Sequence, residues 1–273
     1  MAAQSRNYTR IVALIYLLLP YTLIKQKLFW RFRKPTTLLP DFICIGAQKS
    51  ATTWLHQQLS AHPGICMPAV KEIHYFDWFF YRSLSWYGKY FQNCGNKIRG
   101  EVTPGYSVIE KGRIEFIRRI MPNVKIILIL RDPAERAWSS ARFHFAKELQ
   151  RPLKDITNEE FIAHFNKPWV HQRGDYETIL SKWKEVIPAE KFLVILHEEL
   201  TADPKRVMSI VLKFLGADEN SHSILPGRYN VSEEMNMPDE VRNYLKSNYK
   251  SMVADLQKNH QIDTSLWKNY KAE

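Results

Sequence analysis

Residues Asp41 to Leu59, DFICIGAQKSATTWLHQQL, constrain the fold more than any other stretch of this chain. Phe42 to Ile45 is a short apolar run with β-branched content, which predicts a buried strand. Gly46 breaks the run, a small polar loop follows (Ala47, Gln48, Lys49, Ser50, Ala51), and Thr52-Thr53 opens an amphipathic helix. A strand feeding a tight loop into a helix N-terminus holds phosphate-like anions with its backbone. The first N–H groups of the helix lack internal partners, and the helix dipole favours negative charge there. Lys49 adds a mobile cation, and Ser50, Thr52 and Thr53 add hydroxyl donors. The loop is not a Walker A sequence, because G-x-x-K-S-A-T-T has no second glycine before its lysine. Hydroxyl residues ahead of a helix also serve as plain caps, so the anion-binding reading needs support from the rest of the chain.

Composition is compatible with it. With 45% apolar and 13% aromatic residues over 273 positions, the chain can bury a full core. Its 39 Lys+Arg against 28 Asp+Glu give +11, which suits an anionic ligand, an acidic polymer or a membrane surface. Nucleic acid is not expected, since there is no zinc-finger spacing, RNP-like motif or long basic tract. Cys44, Cys66 and Cys94 lack C-x-x-C spacing. They predict no disulfide framework, no structural zinc and a reducing compartment, with Cys44 a buried small hydrophobe.

Further along, strands and helices alternate. Lys97 to Val102 and Phe192 to Leu196 read as strands, and Val124 to Leu130 is the clearest buried strand of all. Helical spacing covers Ile114 to Met121, Arg136 to Arg142, Tyr176 to Val186, Pro204 to Leu215 and Pro238 to Leu256, with Gly216 past the end of the fourth. Trp267 is expected to pack down, and Gln150 to Lys167 reads as a polar insertion. The alternation predicts a single α/β domain over residues 41–273, with a central parallel β-sheet flanked by helices. Arg131 then stands at a strand's C-terminal end, where open α/β sheets bind ligands. It lies beside Lys49 if the two strands are neighbours. Asp132-Pro133 also fits a plain helix start. KEIHYFDW concentrates Glu72, His74 and Asp77 among aromatics, a candidate base with orienting partners. Loop-rim placement is the alternative for these residues.

Residues 1–40 form a separate apolar and basic segment. Ile11 to Ile24 is nearly all apolar, flanked by Arg6, Arg10, Lys25, Lys27, Arg31, Arg33 and Lys34. The run is shorter than the roughly 20 residues of a membrane span. It predicts a membrane-surface helix, with peripheral contact through residues 6–34, or a helix packed on the domain. The location expected is cytoplasmic or peripheral on a membrane, with a short signal anchor as the lesser alternative.

In order and spacing these motifs resemble the sulfotransferases that use 3′-phosphoadenosine 5′-phosphosulfate (PAPS). The likeness is nearest to the branch of heparan sulfate sulfotransferase domains and bacterial homologues, and it runs from Asp41 to Trp267. It implies a P-loop-like sulfotransferase fold, PAPS as sulfuryl donor, no metal, and a hydroxyl-bearing acceptor such as a glycan or glycolipid. Gln48, Lys49, Ser50, Ala51, Thr52 and Thr53 resemble the 5′-phosphosulfate loop, with Lys49 at the bridging oxygen of the leaving phosphate. Arg131 and Ser139, in LRDPAERAWS, resemble the pair that clamps the 3′-phosphate. Gly227, Arg228 and Tyr229 resemble the late loop closing over it. Glu72 matches the catalytic base of the heparan enzymes, His74 a neighbouring active-site position, and Asp77 and Trp78 the acceptor side. Two positions depart from the pattern. Ala51 stands where the loop often has glycine, a mild change if the residue is helical. Val102, in GEVTPGY, stands where the heparan enzymes commonly place a lysine. The competing readings are a P-loop-type kinase or nucleotide hydrolase, with Asp132 on magnesium, and a non-catalytic membrane-associated binding protein.

Overall fold

The computed structural model describes residues 38–221, 223–227 and 235–270. The expectations for residues 1–37 and for Arg228 and Tyr229 fall outside them. The described residues contain five strands: β1 (Phe42–Gly46), β2 (Ile65–Cys66), β3 (Ile98–Val102), β4 (Lys125–Leu130) and β5 (Phe192–Leu196). They form one sheet in the order β2-β3-β1-β4-β5, and every pairing is parallel. The chain goes to one side of β1 for β2 and β3, then crosses to the other for β4 and β5. The crevice between the C-terminal ends of β1 and β4 is therefore the topological switch point.

Among the described residues ten helices surround the sheet: α1 (Thr52–Ala61), α2 (Leu84–Gly88), α3 (Lys111–Ile120), α4 (Pro133–Phe143), α5 (Asn158–Phe165), α6 (Pro168–His171), α7 (Tyr176–Lys184), α8 (His197–Ala202), α9 (Pro204–Leu215) and α10 (Asp239–His260). Strand side chains alternate between two cores. Ile43, Ile45, Ile126 and Leu128 pack with α3, α7 and the rings of residues 75–91. Phe42, Cys44, Ile127 and Ile129 pack with α1 and α9 on the opposite face. Burial on both faces is why β1 and β4 read as unbroken apolar runs rather than alternating ones. A third cluster joins α4, α5 and α10 beside the sheet.

Several expectations meet a different structure. β2 was not anticipated, because two residues carry no periodicity. The stretch expected as a polar insertion contains α5. Its start is written in a capping box, with Thr157 Oγ1 accepting from Glu160 N and Glu160 accepting from Thr157 N. The expectation of no disulfide is overturned. Cys66 and Cys94 are bonded, 28 positions apart, because β2 pairs with β3 just after Cys94. The spacing gives no local sign of this contact. Cys44 is a buried free thiol, as expected, and burial pushes it up to about 12. Trp267 is fully buried and its Nε1 donates to Glu198.

Candidate active site

The loop leaving β1 turns sharply. Gly46 has φ +148°, and Lys49 and Ala51 are left-handed at φ +68° and +60°. Ala51 therefore does not take the helical conformation that would make its departure from glycine harmless. A left-handed alanine costs roughly 1–2 kcal/mol, part of which glycine gives back through unfolded-chain entropy. Ala51→Gly is accordingly expected to stabilise the protein by about 0.5–1 kcal/mol. The check is a rise in urea midpoint at unchanged slope, and a lowered midpoint would contradict it.

Two contacts fix this loop against β4. Ala47 N donates to Ile129 O at 2.8 Å, and Arg131 Nη1 donates to Lys49 O at 3.1 Å. Arg131 thus lies beside the Lys49 loop, as the strand order requires. The N-terminus of α1 has neither an acidic residue in its first turn nor a side-chain cap, and Ser50 Oγ is buried without a partner. Lys49 Nζ sits 4.2 Å from the centroid of the Phe143 ring. Burial, then the nearby Arg131 and Arg142 guanidinia, lower Lys49 to about 8. A buried hydroxyl without a partner, a helix N-terminus with neither side-chain cap nor acidic residue, and crowded cations fit a phosphate-like anion.

Beyond β4, Asp132 caps α4, accepting from Ala134 N at 3.0 Å and Glu135 N at 3.2 Å. Its other oxygen accepts from Asn269 N and Nδ2 at 3.1 and 2.9 Å. Both oxygens are committed to the fold, which removes Asp132 as the magnesium ligand of a kinase-like reading. Ser139 lies two turns into α4, nearly buried, and Tyr176 Oη donates to Arg131 O at 3.0 Å. The segment before Gly227 is tied to α1 by two bonds: Gln58 Nε2 donates to Leu225 O at 3.0 Å, and Leu225 N donates to Gln58 Oε1 at 2.9 Å. Gly227 itself has φ +136°.

Glu72, His74 and Asp77 come together at the end of β3. Glu72 N donates to Val102 O at 3.1 Å, and Glu72 and His74 are both left-handed, at φ +65° and +55°. These two excursions, on either side of Ile73, bring both side chains to the same side. Asp77 Oδ2 is 2.8 Å from His74 Nδ1, Glu72 Oε2 is 3.5 Å from His74 Nε2, and Lys71 Nζ meets Glu72 Oε1. Trp78 stacks on the His74 ring at 3.7 Å and 6°. Burial alone would raise Glu72, but hydrogen bonds from His74 and Lys71 outweigh it and hold the carboxyl at about 2. Burial alone would lower His74, but Asp77 and Glu72 hold it at about 9. Glu72 is thus a carboxylate and His74 an imidazolium at neutral pH. The Glu72 contribution to stability is present above the ordinary carboxylate range and is lost as pH falls toward 2. That of His74 is present below the ordinary imidazole range and is lost as pH rises through 9.

Both cations titrate on the alkaline side, Lys49 at about 8 and His74 at about 9. The kcat/KM profile reports free-enzyme groups, so for the anionic donor it is expected to fall from about pH 8 upward. Lys49→Arg should move the first break to higher pH, and a profile flat to pH 9.5 would remove Lys49 from the site.

Sequence reasoning missed several supports of this cluster. Lys71 adjoins the proposed base. Arg113 Nη1 donates to the carbonyls of Phe76 and Asp77 at 2.9 and 2.8 Å, fixing the turn. At Gly105 a Cβ would stand 2.6 Å from Asp77 Oδ2, so glycine is required for that carboxylate to reach His74. Val102 is buried in the core. Among the described residues no group of His, Cys, Asp and Glu is arranged to hold a metal ion.

The parallel α/β sheet carries an anion-binding loop and an arginine at its switch point and a carboxylate–imidazole cluster at the end of the adjacent β3, an arrangement compatible with group transfer from an anionic donor. The chain matches the sulfotransferase domain family over residues 39–271 and belongs to that family. The membrane-associated sulfotransferase kil1 of Dictyostelium discoideum is 33% identical over 161 residues, covering 56% of this chain and 33% of that protein. A Mus musculus bifunctional heparan sulfate N-deacetylase/N-sulfotransferase 3 is 30% identical over 223 residues, covering 76% and 24%. The chain thus spans a quarter to a third of the length of these relatives. Among solved structures, a sulfotransferase from Alicyclobacillus acidocaldarius superposes with TM-score 0.68 at 26% identity, covering 85% of this chain and all of that one. A mouse sulfotransferase complexed with PAP shares the fold, with TM-score 0.53 at 17% identity over 86% and 88%.

Proposed function

We propose that this sulfotransferase moves the sulfuryl group of PAPS to a hydroxyl of a carbohydrate or glycolipid acceptor, with Glu72 as base. The observation that carries the reading is that the Lys49–Arg131 anion loop and the Glu72–His74–Asp77 cluster lie at the C-terminal ends of adjacent strands, near enough for the Glu72 charge to act on Lys49. PAPS supplies a sulfuryl group on a good leaving group. Its 5′-phosphosulfate would be held by residues 48–53, and its 3′-phosphate by Arg131, Ser139 and the loop of Gly227, Arg228 and Tyr229. The acceptor oxygen–sulfur bond forms as the sulfur–bridging oxygen bond breaks. The electron pair leaves on the 5′-phosphate beside Lys49, and the acceptor proton goes to Glu72. Alignment and charge neutralisation do most of the work in such transfers. His74, fixed between two carboxylates and stacked on Trp78, orients the base. Asp77 and Trp78 face the acceptor.

The disulfide favours an oxidising compartment over the cytoplasm expected from the sequence. Among the described residues no helix is long and apolar enough to cross a membrane. The membrane-associated relative supports contact with a membrane, for which residues 6–34 are the candidate segment in the sequence.

The test is calorimetric titration with 3′-phosphoadenosine 5′-phosphate (PAP), without magnesium. The wild type is expected to bind, and Arg131→Ala to bind about 10–100-fold more weakly, the range for a lost hydrogen bond to a charged group. Binding of ATP–magnesium in place of PAP would overturn the proposal.

A further inference from the structure

The end of α4 bears on Lys49 through a residue that the transfer chemistry has not used. Ser139, Arg142 and Phe143 stand at i, i+3 and i+4, so the last turn of α4 presents them on one face. The chain then leaves α-helical spacing. His144–Glu148 form a π-turn, closed by Leu149 N donating to His144 O at 3.0 Å. Such turns insert one extra residue and are frequent at functional sites. Phe143, the last residue of the regular helix, is 37% exposed although large and apolar. One face of its ring meets the Lys49 ammonium, 4.2 Å from the centroid.

Lys49 belongs to none of the ion pairs among the described residues. The charged groups that act on it come from several elements. Arg131 just after β4 and Arg142 on α4 oppose its charge, whereas Glu148 on the π-turn and Glu72 before β3 favour it. Burial and the two cations outweigh the two carboxylates. The ring works the other way. Its negative face attracts an ammonium but offers no site for the proton. A carboxylate in the same place would also favour the charge, but it would bind the ammonium strongly and compete with a donor phosphate. A ring holds it loosely enough to be displaced.

From this geometry we infer that Phe143 is a positioning residue for Lys49. Its ring holds the ammonium charged and turned toward α4 while the donor is absent, and yields it to the leaving 5′-phosphate when the donor enters. The inference rests on the sulfotransferase reading and adds to it a residue that acts through the lysine.

The test reads the ionisation of Lys49 in the donor-free full chain, from the pH dependence of its trace acetylation by acetic anhydride, resolved by mass spectrometry. Wild type is compared with Phe143→Leu and Phe143→Tyr. Leucine keeps the apolar cover and removes the ring face, whereas tyrosine keeps both. The wild-type midpoint is expected at about 8. That of the leucine variant should lie roughly 0.5–1 pH unit lower, and that of the tyrosine variant within about 0.2 unit of wild type. The alkaline limb of kcat/KM for PAPS should move the same way in the leucine variant alone. An unchanged or higher midpoint in the leucine variant would overturn the proposal, because the ring would then act only by excluding water. Equal falls in both variants would overturn it too, since a retained ring face would have failed to hold the charge. PAP titration of the wild type keeps the two readings apart. Failure to bind would refute the donor assignment, and the acetylation midpoints would still decide the role of the ring.

Discussion

Glu72→Gln is expected to lower kcat by about 10²–10⁴-fold, the span of a positioned general base, while PAP affinity stays within about twofold. Glutamine keeps the volume and tolerates φ +65° no worse than glutamate, so the loss isolates the charge. At about 2, Glu72 is a weak base. That strength suits a late proton transfer, because the acceptor oxygen becomes strongly acidic only as its bond to sulfur forms. An early deprotonation would need a group nearer neutrality. The same substitution removes one of the two carboxylates that hold His74 at about 9, so the upper limb of the remaining activity should move to lower pH. A kcat within threefold of wild type would make Glu72 a structural residue and send the search for the base elsewhere.

How much of this could be read in the chain depended on what fixes each residue. β1 and β4 were legible because burial on both faces leaves no polar position beyond the leading Lys125 of β4, and the turn residues Gly46 and Arg131-Asp132-Pro133 bound them. The meeting of Arg131 with Lys49 followed from strand adjacency alone. The neighbours Glu72 and His74 were visible as residue types, but their convergence depends on left-handed backbone at both positions, which neither residue type signals. It also depends on Arg113 and Gly105, more than thirty residues further along the chain, which sequence spacing could not connect. Gln58 failed to stand out for the same reason, since a glutamine within a helix looks like a solvated position until Leu225 is placed against it. Ala51 was misjudged because its residue type suggests helix, whereas closure of the loop onto β4 dictates φ +60°.

The disulfide is the contact least legible in sequence and the one whose removal is expected to cost the fold most. Cross-linking positions 28 apart reduces the entropy of the unfolded chain by an amount worth about 3–4 kcal/mol. Cys66→Ser/Cys94→Ser should lower unfolding free energy by about that much, read from urea denaturation. Activity tells whether the bond also shapes the site, because the closed segment carries Glu72, His74 and Asp77. That segment has other anchors. Tyr75, Phe76, Tyr87 and Phe91 are fully buried, and Tyr106 Oη accepts from Tyr75 N and Phe76 N at 2.7 and 3.2 Å. Arg113 holds the turn at Asp77 from a different element. With so many native contacts in place, the bond acts mainly on the unfolded state, and kcat at 25 °C should stay near wild type in the serine pair. Dithiothreitol should reproduce the destabilisation in the wild type and leave the serine variant unchanged. Loss of activity without loss of stability would reverse the assignment, making the bond a positioning element for the base rather than a restraint on the unfolded chain.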